Sequence, residues 1–230
     1  MIKHPTVAIL ASGEGTTTEA IIRAGQKGEI STRIGLVISN NPKAGVFKRI
    51  ERLNQEFGLS IACKLIGKST HPATKDEKLS AGSQSAAEES AILETLQKGN
   101  FDLILLLGYM KKVGPRLVRA FGWRSDYTSP YQVRMLNSHA GLFPDTKGYY
   151  GIHKEEHVIK EHFPFSGYTL HTVAEDYDDG PTIAEHRHPV LPDDTPETLH
   201  ERDQAIEKKF LPGDVAKFIE SRTQYLKDKA

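Results

Sequence analysis

The chain has 230 residues, enough for one domain of ordinary size with a substantial core, and we expect residues 1–230 to form a single domain. Its 30 basic and 30 acidic residues give a formal net charge of zero, which argues against binding nucleic acid or a membrane surface through bulk charge. The single cysteine, Cys63, excludes an intramolecular disulfide and a cysteine-rich zinc site, and we expect it to be a small core residue. The first residues lack a signal-peptide core, and the longest apolar run, residues 103–107, is too short to span a bilayer. We therefore expect a cytoplasmic protein.

Short apolar runs alternate with amphipathic helical patterns through the first part of the chain. The predicted strands cover residues 6–11, 32–39, 61–66, 102–107 and 133–137, and the predicted helices cover residues 19–24, 44–57, 86–98 and 116–121. Nearly continuous apolar runs are typical of strands that are buried on both faces. This alternation predicts an α/β fold with a doubly wound, mostly parallel sheet.

The last third of the chain has a different pattern. Residues 168–174 and 183–191 predict two strands that join the sheet in antiparallel orientation, connected by an acidic turn. A capping signal at residues 195–197 begins a long C-terminal helix. We expect the Pro-Gly pair at residues 212–213 to interrupt this helix, which then continues over residues 215–226.

Three polar segments follow predicted strands at the carboxyl edge of the sheet, where ligands bind in open α/β folds. They cover residues 13–17, 108–113 and 137–144. The first segment lacks the third glycine of a dinucleotide-binding fingerprint and the lysine of a P-loop. Its backbone N–H groups and threonine hydroxyls suit a single phosphate group at the start of a helix.

The residues that suggest catalysis are an amide, an imidazole and a carboxylate. Asn137 and His139 lie two residues apart at the end of a predicted strand, so both can leave the same edge of the sheet. Asp178 lies in the acidic turn. An amide can donate to an oxyanion, an imidazole can move a proton, and a carboxylate favours the charged imidazolium. Together they are sufficient for chemistry at a carbonyl carbon.

A second motif allows a different reading. His153 and His157 bound the sequence His-Lys-Glu-Glu-His, which matches the H-x-x-E-H motif of some zinc proteases. On a helix the two imidazoles would share one face. The charged neighbours are also typical of a solvated helix, so a zinc hydrolase is an alternative to carbonyl chemistry by the first set.

Six segments occur in the order and spacing of a known family: VAILASGEGTTTEAI, DLILLLGYMKKVGP, MLNSHAGLFP, KGYYG, HTVAEDYDDGP and LHERDQAIEKKFLP. On these segments the chain resembles the phosphoribosylglycinamide formyltransferase family over nearly its whole length. The resemblance implies a Rossmann-type formyltransferase fold and transfer of the formyl group of 10-formyltetrahydrofolate, a co-substrate, to the amine of phosphoribosylglycinamide in purine synthesis. It implies no metal, small-molecule partners rather than nucleic acid or membrane, and a monomer or homodimer.

The resemblance also implies roles by position. The catalytic residues that it implies are Asn137, His139 and Asp178. The implied acceptor-binding residues are Gly15, Thr16, Thr17, Gly108, Gln204 and Glu207. The implied folate-binding residues are Met110, Lys111, Lys112, Val113, Asn137, Glu175, Asp176, Tyr177 and Asp178. In the implied mechanism the amine attacks the formyl carbon, and Asn137 and a protonated His139 stabilise the oxyanion, while Asp178 raises the pKa of His139.

Departures from the family pattern lie beside these residues. Ala140 and Gly141 stand where the family usually has Pro followed by Ser or Ala, and Asp179 stands where it usually has Gly. These changes concern substrate recognition more than the chemistry, so a nucleotide amino sugar is an alternative acceptor. A folate or nucleotide binder without catalytic activity is the alternative from a different functional class.

Overall fold

The structure, a computed structural model, describes residues 4–229 and contains a seven-stranded sheet. The strands are β1 (Thr6–Leu10), β2 (Arg33–Ser39), β3 (Ala62–Leu65), β4 (Leu103–Leu107), β5 (Met135–His139), β6 (Phe165–Thr172) and β7 (Thr182–Pro189). The helices are α1 (Thr16–Gln26), α2 (Val46–Phe57), α3 (Ala86–Gly99), α4 (Pro115–Phe121), α5 (His153–Lys160) and α6 (Pro196–Asp228), with one turn of 3-10 helix at Pro130–Gln132.

The strand order is β3-β2-β1-β4-β5-β6-β7. Strands β1 to β5 pair in parallel, whereas β6 pairs antiparallel with both β5 and β7. The predicted fold class, a mostly parallel doubly wound sheet with antiparallel C-terminal strands, is therefore confirmed.

Both faces of the central strands are buried. In β1, Val7 and Ile9 pack on one face with α1, α2 and α6, while Ala8 and Leu10 pack on the other with α3 and α4. Successive side chains of a strand point to opposite faces, so a strand covered on both sides needs an unbroken apolar run. This requirement explains why β1 and β4 lack the alternation of a half-exposed strand.

The chain reverses direction across the sheet at β1. From β1 it proceeds outward to β2 and β3, then returns to β4 on the other side of β1. Connections above this point leave in opposite directions and open a crevice at the carboxyl ends of β1 and β4. The segments predicted to bind ligands follow these strands and β5, so the topology brings them together.

The predicted interruption of the C-terminal helix is wrong, because α6 runs continuously through Pro212. A proline inside a helix costs roughly 3 kcal/mol. Leu211, Val215 and Phe218 are fully buried in the core on one face of the sheet. Burial of each such side chain contributes roughly 1.5–3 kcal/mol, so packing on both sides of the proline outweighs its local cost.

Cys63 is a second difference, since its side chain is exposed rather than part of the core. It lies on β3, a four-residue strand at the edge of the sheet. Among the helices of residues 4–229, none combines the length and apolar character needed to cross a bilayer. Part of the expectation about a signal peptide rests on residues 1–3, which lie outside the described residues.

We expect Phe218→Ala to lower the free energy of unfolding by about 3–5 kcal/mol, because it removes a fully buried ring beyond the proline. The matched control is Leu226→Ala, later on the same helix, where the side chain is 45% exposed and the change should stay within about 0.5 kcal/mol. Urea unfolding of both variants measures the difference. Equal effects would contradict the packing of the distal half of α6 on the core.

Candidate active site

A cavity of about 760 Å³ opens at the carboxyl ends of β1, β4 and β5, within the usual size range of ligand sites. The predicted residues that line it are Gly15, Thr16, Thr17, Gly108, Met110, Lys111, Lys112, Val113, Asn137, His139, Asp176, Tyr177, Asp178, Gln204 and Glu207. Glu175 is exposed and lies outside this lining. Segments distant in sequence thus meet around one space.

The start of α1 forms one end of the cavity. Its N-cap is Gly15, with φ of 71°, and an added Cβ there would overlap the side chain of Val46 at the start of α2. Only glycine combines this backbone conformation with such a close approach. Thr16 and Thr17 occupy the first turn, where backbone N–H groups have no partner within the helix. The turn therefore offers donors and a favourable helix dipole to an anion.

Glu207 lies beside this turn and is almost completely buried. Its carboxylate accepts hydrogen bonds from the hydroxyl of Ser138 at 2.5 Å and from the hydroxyl of Thr17 at 3.1 Å. Burial raises the pKa of Glu207, and the two hydroxyl donors oppose that shift. Gln204 lies one turn earlier on α6 and also lines the cavity. The arrangement presents an amide and a carboxyl group next to the anion-binding turn.

Asn137 is held by a histidine that the sequence analysis did not identify. The antiparallel register of β5 and β6 pairs Asn137 with His171, and Asn137 Nδ2 lies 3.0 Å from His171 Nε2. Nδ1 of His171 lies 2.9 Å from the carbonyl oxygen of Thr172, so Nδ1 donates that bond. Burial lowers the pKa of His171, and the neutral ring accepts from Asn137 at Nε2. The second N–H of the Asn137 amide is then available to an oxygen in the cavity.

His139 is buried at the end of β5, two residues after Asn137. Its Nδ1 lies 3.9 Å from Oδ2 of Asp178. Burial lowers the pKa of His139 to about 4, although the charge of Asp178 acts in the opposite direction. The predicted influence of Asp178 therefore has the right sign, but desolvation outweighs it. This pKa makes the imidazole neutral near pH 7 at rest, so the protonated ring of the implied mechanism forms only during the reaction.

Asp178 is fixed by the backbone around it. It has φ of 54°, a left-handed conformation that aspartate tolerates better than most residues. Its Oδ2 accepts a hydrogen bond of 3.0 Å from the backbone N–H of Gly148. Its Oδ1 lies 3.6 Å from Nε2 of His171, so His139 and His171 both face this carboxylate.

The departure at Gly141 has a steric explanation. A Cβ at this position would overlap the hydroxyl of Thr146 and would lie 2.9 Å from Nε2 of His139. It would also lie 2.7 Å from Cδ of Lys154, whose stem passes under this loop. The space that a side chain at position 141 would need is occupied by Thr146 and Lys154. Glycine at position 141 therefore leaves room for the side chains of Thr146, Lys154 and His139.

The wall formed after β4 is held by backbone hydrogen bonds and by the ion pair of Lys111 with Glu88. The N–H of Met110 donates to the hydroxyl of Ser12 at 2.8 Å, and the N–H of Lys112 donates to the carbonyl of Gly82 at 2.8 Å. The Met110 side chain itself is half exposed at the mouth of the cavity. This half of the cavity is open, with an apolar and aromatic rim that includes Tyr177.

The alternative zinc motif lies on α5. His153 is exposed and contacts Glu156 at 2.9 Å, while His157 stacks on Tyr149 with ring centroids 4.2 Å apart. Within residues 4–229, no three His, Cys, Asp or Glu side chains are grouped so that they could hold a metal ion. The geometry of these residues gives the zinc reading no support.

Comparison with known proteins identifies the family of this chain. The sequence pattern of the formyl transferase family matches residues 6–215. The chain belongs to the formyl transferase family. It is similar to the phosphoribosylglycinamide formyltransferase of Bacillus subtilis, with 27% identity over 92% of this chain and 93% of that protein. A solved structure of the phosphoribosylglycinamide formyltransferase from Bacillus halodurans has 32% identity and a TM-score of 0.72, covering 93% of this chain and 95% of that one.

The relatives differ in length. The chloroplastic phosphoribosylglycinamide formyltransferase of Vigna unguiculata has 28% identity over 99% of this chain, which spans only 65% of that protein.

We expect Gly141→Ala to lower the free energy of unfolding by about 1–3 kcal/mol, because the new methyl group must displace Thr146, Lys154 or His139. The matched control is Gly213→Ala, inside α6, where a Cβ would meet nothing within 4 Å. That variant should gain about 0.5–1 kcal/mol from helix propensity. Urea unfolding decides the matter, and a Gly141→Ala variant as stable as the parent would contradict the steric account.

Proposed function

We propose that this protein transfers the formyl group of 10-formyltetrahydrofolate to the amine of phosphoribosylglycinamide, a step of purine synthesis. The observation that carries the proposal is the meeting of Asn137, His139 and Asp178 with an anion-binding helix turn in one cavity. Family membership supports the class of reaction, and the names of the relatives support the acceptor.

The acceptor occupies the inner half of the cavity in this proposal. Its phosphate binds the first turn of α1 at Thr16 and Thr17, where donors converge. Its ribose and glycinamide portions then extend toward Gln204 and Glu207, with the amine near Gly108 at the junction of the two halves. One acceptor molecule can reach both groups, because the side chains of Thr17 and Glu207 are hydrogen-bonded to each other.

The folate occupies the open half. Its ring system lies between the backbone of residues 110–113 and the turn of residues 176–178, both of which line the cavity. Met110 and Tyr177 supply exposed apolar surface at the mouth, where the remainder of a large co-substrate leaves the site. The formyl group then reaches Asn137 and His139 at the centre.

The neutral state of His139 shapes the chemistry. The free amine attacks the formyl carbon, which gives a tetrahedral intermediate with a negative oxygen and a positive nitrogen. The amide of Asn137 donates to that oxygen. His139 takes one proton from the positive nitrogen and returns it to N10 of the folate as the carbon–N10 bond breaks and the carbonyl re-forms. Asp178 stabilises the imidazolium during this interval.

We expect turnover of phosphoribosylglycinamide with 10-formyltetrahydrofolate, followed by the absorbance of the folate product. His139→Ala should lower kcat by about 10²–10⁴-fold, the range that a positioned proton-transfer group supplies. The matched control is His153→Ala, whose side chain is 69% exposed on α5 and should have no effect. The same control tests the zinc alternative, which requires His153.

Two results would contradict parts of the proposal separately. Turnover of a nucleotide amino sugar but not of phosphoribosylglycinamide would refute the acceptor while keeping formyl transfer. Full activity of His139→Ala would remove His139 from the chemistry whichever acceptor is used.

A further inference from the structure

The loop between β5 and α5 contacts both His139 and Asp178. The hydroxyl oxygen of Thr146 lies 3.0 Å from Nε2 of His139, and the backbone N–H of Gly148 donates to Asp178 at 3.0 Å. Thr146 is 1% exposed, so its hydroxyl has no competing solvent. Nothing in the sequence pattern singled out Thr146.

The hydrogen atoms at Thr146 can be assigned by elimination. Its hydroxyl oxygen lies 2.8 Å from the carbonyl oxygen of Leu142, which can only accept, so the single hydroxyl hydrogen is donated there. The oxygen can then only accept from His139, which requires a hydrogen on Nε2. In the neutral imidazole this leaves the lone pair on Nδ1.

Nδ1 is the ring nitrogen on the side of Asp178, which lines the cavity. It lies 3.9 Å from Oδ2 of Asp178, too far for a direct hydrogen bond and far enough for a third polar atom to reach both. Phe143 packs against the ring, with the ring centroids 5.0 Å apart and the planes tilted by 38°. Thr146 and Phe143 thus restrict the orientation of the His139 ring, as a proton-transfer group requires.

We propose that Thr146 is a positioning residue that keeps the hydrogen of neutral His139 on Nε2, so that Nδ1 carries the proton during formyl transfer. The inference rests on the proposed function. Nδ1 accepts one proton from the nitrogen that has attacked the formyl carbon. It then gives the same proton to N10 of the folate as the carbon–N10 bond breaks, so His139 and Thr146 end the cycle unchanged.

Other charged groups act on His139 without replacing this contact. Asp178 and Glu155 favour the imidazolium, whereas Lys154 opposes it, as a protonated His171 would. A change in any of these charges alters how readily His139 takes a proton. Thr146 instead decides which nitrogen takes it, because it bonds one specific nitrogen.

The test compares Thr146→Val, which keeps the shape and removes the hydroxyl, with Thr146→Ser, which restores it. The matched control is Thr223→Val, an exposed threonine on α6 whose hydroxyl bonds only its own helix. Thr146→Val should lower kcat at least about tenfold, a part of the ~10²–10⁴-fold that proton transfer supplies, with little change in either KM. Thr146→Ser should recover most of kcat, and Thr223→Val should match the parent.

A ¹⁵N NMR measurement of the His139 ring tests the assignment without any acceptor. The parent should show a protonated Nε2 and an unprotonated Nδ1 at pH 7, and Thr146→Val should lose that preference. A hydrogen on Nδ1 in the parent, or an unchanged kcat in Thr146→Val, would overturn the inference. So would a Thr146→Ser variant as slow as Thr146→Val. If the parent fails to use phosphoribosylglycinamide, the proposed function fails, and the NMR result still decides the inference.

Discussion

The site is organised around the cost of placing a charge on a buried imidazole. His139 lies at the end of a strand whose earlier residues form the core, so its ring has little contact with water. Desolvation disfavours the imidazolium more than Asp178 favours it, which makes the neutral ring the resting state. A neutral imidazole close to neutral pH can take a proton that the reaction generates and release it again.

The same low-solvent environment governs the surrounding polar groups. Lys154 forms ion pairs with Glu155 and Asp203, and all three side chains are almost completely buried. Asp203 also accepts hydrogen bonds from Ser166 at 2.8 Å and His188 at 2.7 Å, and it raises the pKa of His188. Buried charges are tolerated when they are paired and hydrogen-bonded in this way. The network holds α5 and α6 together behind the cavity.

The residues that α6 supplies on either side of Pro212 explain why this helix must be continuous. The helix supplies Asp203 to the network, Gln204 and Glu207 to the cavity, and Phe218 to the core. A break at Pro212 would separate the part that carries the polar residues from the part that anchors the helix. Core packing beyond Pro212 therefore helps to position the side chains that line the cavity earlier on the helix.

Local sequence patterns predict the features that depend on strand period and chain order. The unbroken apolar runs predict the buried parallel strands. The two-residue spacing of Asn137 and His139 predicts that both side chains leave the same edge of the sheet. The sequence does not predict the contacts of His171 with Asn137 and of Thr146 with His139. The first depends on the register of two strands distant in sequence, and the second on the course of an irregular loop. The helix through Pro212 depends on tertiary packing that a local rule ignores. The net pKa of His139 depends on burial, which the presence of a nearby acid does not reveal.

A proton NMR titration of the His139 ring tests the central claim most directly, with its resonance identified by its loss in His139→Ala. We expect the His139 ring to stay neutral as the pH falls through 6 and to gain its proton only toward a pKa of about 4. This is the direction that burial imposes. A ring that titrates at or above the ordinary histidine value of about 6.5 would contradict it and would restore a protonated His139 as the resting state.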